Sequence, residues 1–430
     1  MLKTLKNFVE NIPYPIGKQL AKVPFSLRLG NMYTKEKQLI KILKDINAQD
    51  DYILQGLNKI FQFAKNNFAC YHNLYKQAGV LDLEIKTFED FKKLPITDKE
   101  FFRKNIREFN GSYKLNTGGT TGEPFMFFMD KFCWAREWAA MHTIWETLGY
   151  NYHDLKLTLR GKNIGNKNYV YNPVHNEFIL NTYKPFKEIK TSLISLFNKY
   201  PIKFLHGYPS TIYNLICEME ESLSEAQIKQ ILSNIKGLFL SSEFPLPYMV
   251  DKFKKYNLNF VSWYGHSEMC ILAYNEGEFT NTYKPFASYG YAEIEEGNLL
   301  GTSYRNFSMP LIRYNTGDKV NVIEKSNSGR CLAFAVKEGR TADFVIDKEG
   351  ENISLTSLIF GRHHKIFDYA KFVQVKQEEK GKITIYIVAN TALPSDLSSL
   401  FDMTNINMKV DFKIIEKPIL TKAGKFRLKI

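Results

Sequence analysis

The chain of 430 residues is poor in cysteine, and none of its five cysteines lie close together. Cys70, Cys133, Cys217, Cys270 and Cys331 show no CxxC spacing, which excludes a disulfide framework and a zinc knuckle and fits a reducing compartment. Long apolar runs are also missing. No stretch of about 18 apolar residues occurs, so no membrane-spanning helix is expected. The N-terminus carries Lys3 and Lys6 without an uninterrupted apolar core or a cleavage site, so no secretory signal is expected and the expected location is the cytoplasm. Negative charge is scarce: 45 Asp and Glu stand against 58 Lys and Arg, a net charge of +13, and only 11 of the basic residues are arginine. Such a chain attracts anions, whether nucleotides, coenzyme A or an acidic membrane. No basic–aromatic module is visible, so a nucleic-acid partner is not expected. The first 30 residues hold five basic residues and one acidic, and their "IPYPIGKQLAKVPF" is a candidate for peripheral contact with a membrane surface.

What is present is enough chain for two or three domains. Residues 36–78 repeat apolar positions at three and four and predict helices. In "LPITDKEFFRKNI", Thr97 with Glu100 three residues on predicts a capping box. Trp134 to Leu148 predicts a helix. From 200 to 270 a strand, a polar cluster and a helix alternate, with the clusters at Gly207–Ser210, Ser241–Glu243 and Tyr264–Glu268. Such units build a parallel or mixed sheet that binds ligands at the carboxyl ends of its strands. From about 290, "YAEIEEGNLLGTSY", "VNVIEKSNSGRCLAFAV" and "FVIDKEGENISL" predict hairpins, followed by two helices and three strands. The turn at Glu338-Gly339-Arg340 predicts a domain boundary, giving units 1–339 and 340–430.

The stretch "LNTGGTTGEPFMFF" packs three glycines and three threonines into residues 117–122. Glycine-rich loops let backbone N–H groups approach phosphate oxygens. This one fails the P-loop pattern, because Gly118 is followed five residues later by Glu123 and Pro124, and no lysine follows a glycine; it also fails GxGxxG. On its own it is either a polyphosphate loop or an ordinary turn.

Thr117-Gly118-Gly119-Thr120-Thr121-Gly122-Glu123-Pro124 resembles the phosphate loop of the adenylate-forming superfamily, the acyl-CoA synthetases, luciferases and adenylation domains. Further along, Tyr264-Gly265-His266-Ser267-Glu268 resembles its YGxTE motif and Tyr314-Asn315-Thr316-Gly317-Asp318 its YxTGD motif. Gly339-Arg340-Thr341-Ala342-Asp343 resembles the hinge GRxDD, and Thr421–Arg427 the C-terminal KTxSGKxxR. The five stand in the family's order. "LPITDKE", "HGYPSTIYNL", "LSSEFP" and "GTSYRNFSMPLIRYNTGD" are similar to the phenylacetate–CoA ligase-like subfamily, especially its capsular polysaccharide biosynthesis members. The resemblance implies an α/β fold, a large N-terminal adenylation domain of mixed sheets and helices with a small α+β C-terminal lid.

It also implies an enzyme that joins a small-molecule carboxylate to ATP, forming an acyl-adenylate and pyrophosphate, and then passes the acyl group to CoA or another acceptor. Thr117, Gly118, Gly119, Thr120, Thr121 and Gly122 would hold the β,γ-phosphates. Tyr264, with Gly265, His266 and Ser267 around it, would meet the adenine, and Ser242-Glu243 would line its pocket. Glu268 would hold Mg²⁺, Asp318 would accept the ribose hydroxyls, and Arg340 would add a ribose or phosphate contact. Lys425 would reach the carboxylate and α-phosphate. His206, Tyr208 and His266 lie where the family places its acyl pocket. Ala342 departs from the family's hinge aspartate, which puts the lid rotation needed for CoA transfer in question. Three alternatives stand beside CoA transfer: an amide-forming ligase using an amine acceptor, an adenylyltransferase that leaves AMP on its product, and a non-catalytic nucleotide-binding scaffold in glycan assembly. No zinc site is expected, and His363-His364 are expected at the surface of a lid helix.

Overall fold

A computed structural model describes residues 12–43, 45–116, 125–243, 245, 247–275, 281–336, 344–360, 362, 364–389, 391–419 and 428–430. The N-terminal third is helical: α1 (Tyr14–Leu20), α2 (Phe25–Arg28), α3 (Asn31–Ile42), α4 (Ile46–Asn67), α5 (Ala69–Gln77), α6 (Phe88–Lys92) and α7 (Lys99–Lys104). The three-and-four spacing predicted over 36–78 is there, with Ile53, Leu57, Ile60, Phe61 and Ala64 of α4 turned into one core. The cap of α7 differs from expectation. Asp98, not Thr97, is the N-cap, and its carboxylate accepts from Phe101 N–H at 2.8 Å. Thr97 is one residue too early because its hydroxyl donates to the Ile312 carbonyl at 2.8 Å, a contact across 215 residues. Glu100 pairs with Arg103 at 2.5 Å.

Strands β1 (Tyr113–Asn116) and β2 (Met126–Met129) pair antiparallel on either side of residues 117–124, and α8 (Cys133–Glu146) follows. The main sheet has twelve strands. Its centre carries β3 (Leu155–Leu159), β4 (Tyr169–Asn172), β5 (Glu177–Leu180), β6 (Ile202–Gly207), β7 (Gly237–Ser241) and β8 (Phe260–Gly265). Between them run the helices α9 (Phe186–Lys199), α10 (Pro209–Ser222), α11 (Glu225–Leu232) and α12 (Pro247–Lys255). β9 (Leu272–Asn275), β10 (Thr282–Pro285), β11 (Tyr291–Glu295), β12 (Asn298–Thr302), β13 (Tyr314–Lys325) and β14 (Cys331–Val336) complete it. The order is β11-β12-β13-β14-β10-β9-β8-β7-β6-β3-β5-β4. The pairs β5–β3, β3–β6, β6–β7 and β7–β8 are parallel and the rest antiparallel. The parallel strands read as continuous apolar runs because both faces are covered: β7 is buried at every position. The first two predicted strand–cluster–helix units and the three hairpins are present; the third cluster, Tyr264–Glu268, leads into strand β9 and not into a helix.

Beyond residue 343 the chain forms a second, smaller assembly. β15 (Phe344–Ile346) and β16 (Asn352–Ser354) make a hairpin, then come α13 (Leu355–Phe360), β17 (Ala370–Glu379), β18 (Lys382–Ala389) and β19 (Lys409–Ile414). β17–β18 are antiparallel and β18–β19 parallel. This assembly has its own apolar core, into which Tyr183 of the main body inserts. The Tyr183 ring also lies 3.9 Å from the Arg362 guanidinium, and Asn163 bonds Asp402 at 2.6 Å. His364 corrects the surface expectation. It is buried, its Nε2 meets the Leu358 carbonyl at 2.7 Å and its Nδ1 accepts from Asp402 N–H at 2.9 Å. The predicted boundary at Glu338–Arg340, and His363, lie outside the described residues.

Candidate functional site

The carboxyl ends of β6, β7 and β8 lie side by side, so the three polar clusters predicted there meet along one edge of the sheet. The strand β8 runs further than expected, through Tyr264 and Gly265, before the chain turns at His266–Met269 and returns in β9. Met269 takes φ +52° at that turn. Tyr264 thus has a strand's fixed direction, and its hydroxyl donates to Asp318 Oδ2 at 2.5 Å. Burial, then Asp318, pushes the Tyr264 phenol well above its ordinary value, so it remains a donor. Asp318 follows Gly317, whose φ of +85° suits glycine, and its N–H donates to Thr316 Oγ1 at 3.2 Å.

Glu268 is buried, and both its oxygens are engaged. Oε1 accepts from Tyr314 O–H at 2.8 Å and lies 3.9 Å from Lys99 Nζ; Oε2 lies 3.0 Å from His266 Nδ1. Burial alone would raise this carboxyl, but the hydrogen bond and charge of His266, with Lys99 and Tyr314, hold it down at about 2. Burial works against a charged His266, yet Cys270 and the Glu268 carboxylate hold the ring well above its ordinary range. Because burial pushes the Cys270 thiol up, the lasting charge partner is Glu268, and the 3.2 Å contact from His266 Nε2 to Cys270 Sγ is that of a donor on a neutral thiol.

On the next strand end, Ser242 is exposed with φ +66°, an unusual conformation for a non-glycine residue. Glu243 is buried and its Oε2 accepts from Ser210 N–H at 3.2 Å, tying β7 to the start of α10. His206, at the end of β6, lies among Trp145, Phe239 and Trp263, with ring centroids 5.3, 6.4 and 5.9 Å away. Neither of its ring nitrogens has a hydrogen-bond partner, and the same holds for Trp145 Nε1 and Ser241 Oγ beside it. Burial, then Arg160 and Lys156, drives His206 well below its ordinary value, so the ring is neutral. Tyr208 is buried at the strand–helix junction; its carbonyl accepts from Ile212 N–H at 3.1 Å. Gly265 and Ser267 are exposed at the mouth of the turn.

The structure therefore brings Tyr264, His266 and Glu268 into contact with the 314–318 segment and sets Ser242, Glu243 and His206 on neighbouring strand ends. Thr117, Gly118, Gly119, Thr120, Thr121, Gly122, Arg340 and Lys425 lie outside the described residues. Three participants escaped the sequence. Lys99 reaches Glu268 because the 97–98 backbone pairs beside β13, Thr97 N–H to Arg313 O at 3.1 Å and Asn315 N–H to Thr97 O at 2.9 Å. Arg313, fully buried, donates to Glu293 at 2.7 Å, to the Lys92 carbonyl at 2.5 Å, and to Glu295 and the Leu94 carbonyl. Glu137 of α8 accepts from the Tyr289 hydroxyl, and burial raises its carboxyl. Lys99 in "LPITDKE" and Arg313 in "GTSYRNFSMPLIRYNTGD" were visible as motif residues without a role; Glu137 carried no local signal. Among the described residues no group of three or more His, Cys, Asp or Glu could hold a metal ion.

No family model matches the chain. The chain is similar to protein CapK of Staphylococcus aureus, 24% identical over 435 residues, covering 95% of this chain and 92% of that protein. Among solved structures it is similar to 2-hydroxyisobutyryl-CoA ligase in complex with 2-HIB-AMP and CoA in the thioesterification state, at 16% identity, 90% coverage of both chains and a TM-score of 0.54. The same ligase in the postadenylation state with R3-HIB-AMP gives 15% identity, 90% coverage of both chains and a TM-score of 0.51. At these identities the likeness establishes a shared fold over the main body and the C-terminal assembly together.

Proposed function

We propose, from the premise that this chain carries the fold of the adenylate-forming ligases, that it activates a small carboxylic acid with ATP, forming an acyl-adenylate and pyrophosphate. The observation that supports this most directly is the joining of two distant motifs at one sheet edge, Tyr264 to Asp318 at 2.5 Å and Glu268 to Tyr314 at 2.8 Å. In this reading the acid's oxygen attacks the α-phosphorus and pyrophosphate leaves, a reaction that needs charge neutralisation and positioning more than covalent help. Asp318, oriented by Tyr264, accepts the ribose hydroxyls. Tyr264 and Ser242-Glu243 bound the adenine. The glycine–threonine loop at 117–122 supplies N–H and hydroxyl donors to the phosphates, Arg340 adds a contact, and Lys425 brings the positive charge that the loop lacks.

Glu268 is the carboxylate that would meet a Mg²⁺, a hard ion that takes one or two carboxylates with phosphate oxygens, and the ion would have to share oxygens already engaged by Tyr314 and His266. Bound there, the ion would offset phosphate charge. Tyr314 and His266 hold Glu268 in place for that role, and Lys99 adds positive charge beside it.

The unpartnered polar atoms of His206, Ser241 and Trp145 support an acid that is aromatic or polar beyond its carboxylate. The acceptor that the fold supports first is CoA. Ala342 at the hinge favours a second possibility, an amine acceptor or a product released as the adenylate. The capsule-type motifs, with the similarity to protein CapK, support a place in surface polysaccharide synthesis. Lys425→Ala is expected to abolish carboxylate-dependent pyrophosphate exchange across an acid library while the circular dichroism is unchanged; unaltered exchange would overturn the proposal. Mass spectrometry of the product separates a CoA thioester from an amide and from an adenylylated product.

A further inference from the structure

The first two helices of the described chain, α1 and α2, have sharply different sides. Towards the body, Tyr14 packs on Tyr171, Phe178 and Tyr200 with ring centroids 5.0, 5.7 and 4.7 Å away, and Gly17, Ala21 and Phe25 are buried. The contact at Gly17 is close: a Cβ there would stand 2.5 Å from the Tyr171 ring. On the other side, Ile16 is 61% exposed, Leu20 40%, Val23 37% and Leu27 75%. Gly17, Ala21 and Phe25 are buried and Tyr14 half-buried on the body side, while Ile16, Leu20, Val23 and Leu27 are exposed. Position 27 could be polar without loss to the core, yet the apolar character is kept on both sides.

Arg28 makes this surface rigid. Its Nε donates to Val23 O at 2.7 Å, its Nη2 to Leu20 O at 2.9 Å and Ala21 O at 2.6 Å, and its Nη1 to Val174 O at 2.7 Å. These bonds fix the turn between α1 and α2 and bring Val174, itself exposed, beside it. Lone exposed aliphatic residues are ordinary on a protein surface, but a contiguous group on a braced element is not. Charge is one-sided as well. Lys18 and Lys22 are exposed and form no ion pair among the described residues, and no Asp or Glu occurs from 11 to 35.

We propose that this face docks on an anionic phospholipid surface, with Ile16, Leu20, Val23 and Leu27 entering the acyl boundary and Lys18 and Lys22 meeting the headgroup phosphates. Aliphatic side chains set among lysines, with no acidic residue to be repelled, are the complement of such a surface, whereas a protein partner of opposite charge would leave the aliphatic residues needing a matched groove. Among the described residues no helix is long and apolar enough to cross a membrane, so the contact is peripheral.

The test is flotation of the full chain with phosphatidylcholine vesicles holding about 30 mol% phosphatidylglycerol, against phosphatidylcholine alone. The wild type is expected to float with the anionic vesicles and not with the neutral ones. Ile16→Glu with Leu27→Glu is expected to lower the bound fraction about tenfold, as are Lys18→Glu with Lys22→Glu and a rise in salt from about 0.1 to about 0.5 M. Both variants are expected to keep the wild-type melting temperature and pyrophosphate release in solution, since the changed residues are exposed. Equal flotation of wild type and the Ile16→Glu, Leu27→Glu variant would overturn the proposal. So would failure of the wild type to float, or light scattering that shows a dimer which this variant alone dissociates, because the face would then join two copies of the chain.

Discussion

Replacing Arg313 with alanine is expected to destabilise the protein by about 3–5 kcal/mol, the range for breaking a buried ion pair by removing one partner. Arg313 is 2% exposed and meets four acceptors: the Glu293 and Glu295 carboxylates and the carbonyls of Lys92 and Leu94. The two carbonyls would each lose a donor, at about 1–3 kcal/mol if no water reaches them. Glu293 would keep its burial and lose its counter-charge. Even with Arg313 in place, burial pushes the Glu293 carboxyl above its ordinary value. Without it, the folded protein would hold that proton to higher pH while the unfolded chain releases it near the ordinary carboxyl value. The folded state then binds more protons than the unfolded one, so the variant's stability falls as pH rises from about 5 to 8, more steeply than the wild type's. Because the Arg313 guanidinium also holds the Lys92 and Leu94 carbonyls, just ahead of Thr97 and Lys99, activity is expected to fall together with stability. Urea denaturation at pH 5 and pH 8 measures the loss, and Glu293→Gln added to the variant should flatten its pH slope. A loss below about 1 kcal/mol, or one equal at both pH values, would refute this account of the Arg313 cluster.

Asp98→Ala is expected to cost about 1 kcal/mol and to speed amide exchange at Phe101, whereas Thr97→Ala should leave that amide protected, since Thr97 serves the Ile312 carbonyl instead. Tyr264→Phe should raise the KM for ATP about tenfold with a smaller change in kcat, and much less in an Asp318→Asn background; equal effects in both backgrounds would separate the two side chains. Burial and the shared hydrogen bond with Glu351 push the Glu218 carboxyl up to about 9. Glu218 sits on α10 and Glu351 beside β16, so the contact between body and C-terminal assembly keeps a proton that is lost as pH passes about 9. Amide protection around 352, corrected for the intrinsic base-catalysed rate, should therefore fall between about pH 7 and pH 10, and Glu218→Gln should remove that fall. An unchanged trend in the variant would assign it to another group.

The parts of the fold that were legible were those written in short-range pattern. The helices over 36–78, the alternating strand and helix units and the three hairpins depend on spacing within about ten residues. Tyr264 and Glu268, expected at the strand ends, meet Asp318 and Tyr314 of the second motif there. What the pattern could not carry was contact between segments hundreds of residues apart. Thr97 looks like a cap until the Ile312 carbonyl takes its hydroxyl. Lys99 looks like one solvated lysine among many until the 97–98 backbone is laid beside β13. His364 is expected at the surface of a lid helix, and its burial depends on two backbone groups, at Leu358 and Asp402, that no local rule would supply.

Tyr183 gives the C-terminal assembly a borrowed part. It belongs to the body by sequence and to the small core by packing, with its hydroxyl donating to the Gly161 carbonyl at 2.9 Å and its ring under Arg362. Drawing the two assemblies apart would uncover an aromatic side chain of about 150–250 Å², worth roughly 4–6 kcal/mol at about 25 cal/mol per Å². One aromatic plug of that size would keep a separated form below about one molecule in a thousand. Ligands that favour separation would have to offset it, and a smaller residue at 183 would work as a thermostat for how often the protein opens. The same plug means that the stretch after 343, cut out and made alone, would have a hole where the body's tyrosine belongs.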